Sequence, residues 1–247
     1  MSRSAFVAGE YTHVQAPLAI GALNNRWAMA RAADFNSDIE VLNYALTLEY
    51  LEAEFYRQGT GANLLKGDEK TYLSTVLADE QYHVTAITAT IKKLGGTPVK
   101  APGVDFGGTF ASRSKFLTTA HTFENVGVGA YLGAAGFIKN KQVLQAAAGI
   151  FGVEARHAAL IGTILGLAPE GGVYMGAFES PLAKSVVLQD VAPFLTGMAP
   201  KGGVSTGVGD SGTLQTGLIT AGGVALVGAA TAGYLARKKA AAGNGES

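Results

Sequence analysis

The sequence predicts an all-α protein: a four-helix bundle with a long crossover between helices 2 and 3, followed by a C-terminal transmembrane helix. Three observations predict it. Four segments place apolar residues at helical spacing between capping residues, Gly and Pro. The constellation Glu49-x6-Tyr56 with Glu80-x2-His83 recurs as Glu124-x6-Tyr131 with Glu154-x2-His157, so the helices come as a duplicated pair. Finally, residues 214–236 run 23 positions without a charge and are followed by Arg237, Lys238 and Lys239, the flank of a membrane-spanning helix.

Residues 1–36 form an N-terminal extension in which Glu10 and His13 follow Arg3 before any apolar run of signal-peptide length, so no export signal is expected. Ser37 with Glu40 three positions on reads as a capping box. Leu42, Ala45, Glu49, Glu52 and Tyr56 then share one stripe of a helix expected to end near Gly59. A second helix runs from Asp68 to Leu94, where Gly95 and Gly96 stop it and Pro98 prevents resumption. Residues 95–113 are rich in Gly and Pro with no clear period, as a crossover requires. The third helix, Ser114–Gly136, holds Gly127, Gly129 and Gly133; each weakens an isolated helix by about 1 kcal/mol, which close backbone approach is expected to offset. The fourth spans Lys141–Leu165 with Gly166 behind it. One short helix, Pro181–Val191, is expected after that.

The bundle with its short helix thus occupies residues 37–200, with a linker at 201–213, the span at 214–236 and a basic polar tail at 237–247. Within the span, Gly217, Ala221, Ala225, Ala229 and Gly233 form a stripe of small residues that lets membrane helices approach closely. A partner is expected there, either a second copy or a member of a membrane complex. The alternative for this segment is a mobile Gly/Ala-rich extension. The positive-inside rule places Arg237–Lys239 in the cytoplasm and the bundle outside, whereas no export signal precedes the bundle; the two signals oppose each other and leave its side open.

The 19 basic and 19 acidic residues cancel, and no Lys/Arg cluster is interleaved with aromatics, which argues against a nucleic-acid partner. Cysteine is absent, which removes disulfides, thiolate catalysis and sulfur-ligated metals. Any metal must sit on oxygen and nitrogen.

The repeat carries such a donor set. With 12 Glu and 4 His in 247 positions, chance gives roughly 0.2 Glu-x2-His pairs; three are present, Glu10–His13, Glu80–His83 and Glu154–His157, and the last two fall in the repeat. The separations match as well, 31 positions from Glu49 to Glu80 and 30 from Glu124 to Glu154. Residues three apart on a helix share a face, so each Glu-x2-His aims a carboxylate and an imidazole at one point. The turns around them are apolar: Val76, Leu77 and Val84 flank Glu80; Ile150, Phe151 and Ala158 flank Glu154; Ala45, Leu46 and Ala53 flank Glu49. Ionised carboxylates on such faces need a counter-charge. Two divalent ions would balance Glu49, Glu80, Glu124 and Glu154, leaving His83 and His157 neutral. Glu52 is either an extra carboxylate at the site or an ordinary rim residue, and His121, one turn before Glu124, matches no ligand spacing. Tyr56 and Tyr131 are either core aromatics or hydrogen-bonding supports.

One Glu from each of two helices plus a Glu-x2-His from each of the other two resembles the ferritin-like superfamily of di-iron and di-manganese bundles. The paired E-x6-Y spacing is similar to rubrerythrins, and the run from Asn43 to Tyr56, NYALTLEYLEAEFY, looks closest to the desiccation-related ferritin-like proteins. The resemblance covers residues 37–200. It implies Glu49, Glu80, His83, Glu124, Glu154 and His157 as ligands of two Fe or Mn ions, with Tyr56, Tyr131 and Asp79 hydrogen-bonding to them. Val153 stands where the second half would repeat Asp79, so the two metal positions are expected to differ. Without cysteine there is no rubredoxin-like electron-transfer module. Three functions follow as expectations: a stress-related oxidoreductase acting on peroxide or oxygen (peroxidase, catalase or ferroxidase-like), a metal-binding stress or desiccation protein without turnover, or a structural helical-bundle subunit of a membrane assembly.

Overall fold

Ser37 opens the first helix, α1 (Asp38–Gly61), by accepting a hydrogen bond from the Glu40 amide at 3.2 Å. The reciprocal bond differs from a capping box: the Glu40 carboxylate accepts from the amide of Asn36, one residue earlier, at 3.0 Å. The computed structural model describes residues 34–196. The chain divides into two units, residues 1–198 and 199–247, and every described residue belongs to the first. The linker at 201–213, the span at 214–236, the tail and most of the N-terminal extension lie outside the described residues. Among those described, no helix is long and apolar enough to cross a membrane.

Helix α2 (Gly67–Lys93) has no side-chain cap, but Asp68 and Glu69 in its first turn and Lys92 and Lys93 in its last complement the helix dipole. Gly95, at φ +78°, takes the left-handed position that ends it; the Gly95 amide bonds Lys92 O and the Gly96 amide bonds Ile91 O, a Schellman pair. Ser112 caps α3 (Arg113–Ala135) and Asn140 caps α4 (Lys141–Ile164), each within one residue of the expected start. The short helix α5 (Lys184–Val191) begins three residues later than expected.

Helix α1 pairs with α2 and α3 with α4, and the pairs meet through α1–α3 and α2–α4 contacts. The crossover joins α2 to α3 and carries a two-residue strand β1 (Gly103–Val104) and a 3-10 turn at Gly107–Ala111. Asn43 fastens it, accepting from the Val99 amide at 2.7 Å and donating to Thr97 O at 3.2 Å. Strand β1 pairs antiparallel with β2 (Leu195–Thr196), a ladder the sequence does not predict. The α3 glycines do admit close neighbours: a Cβ on Gly133 would stand 2.0 Å from Leu182 O, and the Leu182 amide donates to Gly129 O at 2.9 Å. Core aliphatics from Leu42, Leu46, Ile87, Ile91 and Val143 fill one end of the bundle, and a stack of Phe55, Phe106, Phe116 and Phe123 fills part of the other. The acidic layer lies between them.

Candidate metal centre

Each of the four long helices delivers its share of the repeat to one buried layer. Glu49 from α1, Glu80 from α2, Glu124 from α3 and Glu154 from α4 are each 0% exposed, and His83 and His157 are buried beside them. His83 Nδ1 lies 3.2 Å from Glu49 Oε2, 3.1 Å from Glu80 Oε2 and 3.2 Å from Glu154 Oε1. His157 Nδ1 lies 3.0 Å from Glu80 Oε1, 3.4 Å from Glu124 Oε2 and 3.9 Å from Glu154 Oε2. Two groups result, Glu49–Glu80–His83–Glu154 and Glu80–Glu124–Glu154–His157, each offering ligand atoms within 4.8 Å of one another. Glu80 and Glu154 belong to both. All six ligand candidates predicted from the sequence therefore meet in one place.

The two tyrosines act crosswise. The Tyr56 hydroxyl from the first half donates to Glu124 in the second, and the Tyr131 hydroxyl donates to Glu49 in the first. Burial, followed by the adjoining carboxylates, raises both phenols well above their ordinary range, so they remain donors. Asp79 also crosses between halves: its Oδ2 sits 3.2 Å from His157 Nε2. Val153, at the matching position of α4, offers His83 no such partner. Asp79→Ala should therefore weaken metal binding at the His157 group by about 10–100-fold and spare the His83 group. Two-step metal titration checks this, and an equal loss in both steps would contradict it.

Glu52 is buried but belongs to neither four-membered group. His121 lies outside the cluster, its Nε2 2.8 Å from Gly172 O.

The donors fit cations better than they fit one another. Glu80 Oε1, Glu124 Oε2, both oxygens of Glu154 and His157 Nδ1 are buried without a hydrogen-bond partner, although Glu80 Oε1 and His157 Nδ1 are only 3.0 Å apart. Close approach without hydrogen-bond alignment is what atoms show when they converge on a shared third point.

With protons as the only counter-ions, burial raises Glu49 to about 8 against the lowering contact of His83. Burial and the neighbouring carboxylates, Glu80 foremost, raise Glu154 well above the ordinary range. Burial works against Glu80 too, yet the close approach of His157 and His83 holds it down at about 2. Burial disfavours both imidazolium ions, but contacts with Glu154, Glu49 and Glu80 raise His83 to about 12, and contacts with Glu124 and Glu80 raise His157 to about 11.

In chelator-treated protein these groups act on stability in different pH ranges. The raised histidines contribute stability fully below about pH 6.5 and lose it as pH climbs toward 11–12. Raised Glu49 contributes below about 4.5 and loses it by about 8. Lowered Glu80 contributes above about 4.5 and loses it toward 2. Stability in chelator should thus peak near about pH 5 and decline toward about pH 9. Urea midpoints across that range check it; a midpoint that rises with pH would contradict it.

A sequence profile of the family described as "Ferritin-like domain" matches residues 37–167. Among solved structures, the chain is similar to a crystal structure described as ferritin like, diiron-carboxylate proteins from Bacillus anthracis str. Ames. The identity is 24%, the TM-score 0.44, and the alignment covers 51% of this chain and 94% of that one. No curated protein matches the sequence.

Proposed function

The chain belongs to the ferritin-like domain family, and from that premise we propose that its buried cluster holds two divalent transition-metal ions, iron or manganese, and performs redox chemistry on peroxide or oxygen. The observation that carries the reading is the set of buried carboxylate oxygens and the imidazole nitrogen with no hydrogen-bond partner, arranged as two overlapping four-donor groups. Oxygen and nitrogen donors of this kind suit Fe and Mn. Glu49, Glu80, His83 and Glu154 would hold one ion; Glu80, Glu124, Glu154 and His157 the other. When bound, the pair supplies electron transfer to or from a small oxidant.

The remaining contributions come from the chain's own groups. Tyr56 and Tyr131 fix the orientation of Glu124 and Glu49 by donating to one oxygen of each, which leaves the other oxygen free to bind. Asp79 orients the His157 ring. The aliphatic and aromatic ends exclude bulk water and strengthen every charge interaction in the layer. A cavity of about 50 Å³ in the aliphatic end, lined by Leu48, Ile87 and Val143 among others, has Tyr131 in its wall but none of the six donors. It admits a molecule of a few heavy atoms and is far below the ~300 Å³ that organic substrates need.

Metal analysis of purified protein, followed by peroxide consumption, tests the proposal. Two Fe or Mn ions per chain and turnover are expected. Bound metal without turnover would favour sequestration of iron in a desiccation or oxidative-stress role. No metal at all would leave only a structural helical-bundle subunit.

We further propose that residues 214–236 anchor the protein in a membrane as a single helix, with the stripe Gly217, Ala221, Ala225, Ala229 and Gly233 facing a second copy or another subunit. The uncharged run and its Arg237–Lys239 flank support this. Truncation after Gly212 should move the protein from the membrane fraction to the soluble one; unchanged fractionation would remove the anchor.

A further inference from the structure

Alanines from all four long helices leave a space in the aliphatic end of the bundle: Ala45 of α1, Ala86 of α2, Ala130 and Ala134 of α3, and Ala146 and Ala147 of α4 line the cavity of about 50 Å³. A larger apolar side chain at any of them would fill part of it. Left open, the space forgoes the dispersion contacts that its wall atoms would make with a filled core.

The wall is chemically selective. Only three of its residues carry a side-chain oxygen, Tyr44, Thr90 and Tyr131. Thr90 donates to Ala86 O at 2.8 Å, and the Tyr131 hydroxyl donates to Glu49. Among the described residues of the wall, only Tyr44 has a buried hydroxyl without a partner. A buried water needs roughly two to four polar partners, so water is held poorly here. Dioxygen has no dipole and gives up little on leaving solvent, whereas hydrogen peroxide would have to abandon its hydrogen bonds. The space exceeds the ~10–15 Å³ that one water needs and is well below the ~150 Å³ of a cavity that takes benzene, which suits a molecule of two atoms.

Burial shows how such a molecule enters. On α1 and α3 the wall residues Ala45, Leu48, Ala130 and Ala134 are buried. On α2 and α4 the wall includes Ala86, Thr90, Ala147 and Ile150, which are half-buried, and Ala146, which is exposed, so the space is reached from solvent between those two helices. Tyr131 belongs to both regions: it walls the cavity and bonds a carboxylate of the acidic layer.

We propose that this space is a binding site for one small apolar gas molecule, dioxygen in the protein's own chemistry, admitted between α2 and α4 and held beside Tyr131. The site itself stands on the cavity; its use for the oxidant rests on the metal-centre reading above.

Methyl-proton relaxation in the full-length protein under dioxygen, compared with argon, tests it; zinc(II) is supplied to the centre because that ion is diamagnetic and redox-inert. Dissolved dioxygen is paramagnetic and speeds the relaxation of methyls that it rests beside. The enhancement at Leu48, Ile87 and Val143 in the wall should be at least about threefold that at Leu73 and Leu117, which are no less buried but lie outside the wall. Ala147→Leu should abolish the difference, and Ala148→Leu, at an exposed position outside the wall, should keep it. With iron(II) in place of zinc, Ala147→Leu should react with dioxygen about tenfold more slowly than wild type and with hydrogen peroxide at an unchanged rate. Equal enhancement inside and outside the wall of the wild-type protein would overturn the proposal. So would a contrast that survives both in Ala147→Leu and in Ala86→Leu on the facing helix. An unchanged dioxygen rate, or equal slowing with both oxidants, would overturn the assignment of the gas. If the protein takes up no metal, the metal-centre reading fails, while the relaxation contrast still decides whether the gas site exists.

Discussion

Glu80→Ala should strip the protein of both ions, lowering bound transition metal from two per chain to fewer than about 0.2. The expectation follows from geometry rather than from charge alone. Glu80 Oε2 faces His83 and Glu80 Oε1 faces His157, so one carboxylate belongs to both donor groups. Glu124 belongs only to the His157 group. Glu124→Ala should therefore retain about one ion, and the contrast between the variants is the informative result. Elemental analysis of the two proteins, purified side by side, measures it. If Glu80→Ala keeps two ions, or if both variants lose metal equally, the shared-ligand assignment is wrong. Peroxide consumption should fall with the metal, to background in Glu80→Ala.

Chelation should cost the bundle most of its thermal margin. Each site saturated at about 1,000 times its dissociation constant adds about 4 kcal/mol to the native state, so two sites add about 8 kcal/mol. For a domain of this size the midpoint moves roughly 2–4 °C per kcal/mol, which predicts a fall of roughly 15–30 °C when the ions are removed. The physical source is the acidic layer: four fully buried carboxylates whose compensation passes from metal to protons. Calorimetry with and without chelator, then with Fe(II) or Mn(II) restored, checks the size and the reversal. A shift below about 3 °C would mean that the cluster is stable without cations and that the carboxylates serve only the bundle.

Much of this arrangement was legible in the sequence, because local chemistry dictates it. Ser37, Gly95 and Gly166 mark helix ends through caps and left-handed turns that need only a few neighbouring residues. The three-residue spacing within Glu80–His83 and Glu154–His157 fixes a shared face whatever the helices pack against. What the spacing could not reveal depends on contacts between distant segments. That Tyr56 serves Glu124 rather than its own helix partner Glu49 depends on how α1 and α3 cross. The contact of Asp79 with His157, 78 positions away, depends on α2 lying against α4. Glu52 stayed ambiguous because its carboxylate lies against Gly127, a residue on another helix with no side chain to announce the contact. The β1–β2 ladder was invisible, since two-residue strands are too short to show alternation. The linker at 201–213 and the span at 214–236 stay expectations of the sequence, since both lie outside the described residues.

The exchange of tyrosines between the two halves carries a consequence for the chain's construction. A hairpin of α1 and α2 alone would present Glu49, Glu80 and His83 with Tyr56 aimed at a carboxylate it does not possess; the α3–α4 hairpin has the mirror deficiency. Two such hairpins set face to face remedy each other. The segment between them, residues 94–112, supplies no donor to the centre; besides packing Phe106 into the aromatic end it serves as a tether, holding two mutually dependent pieces at high effective concentration.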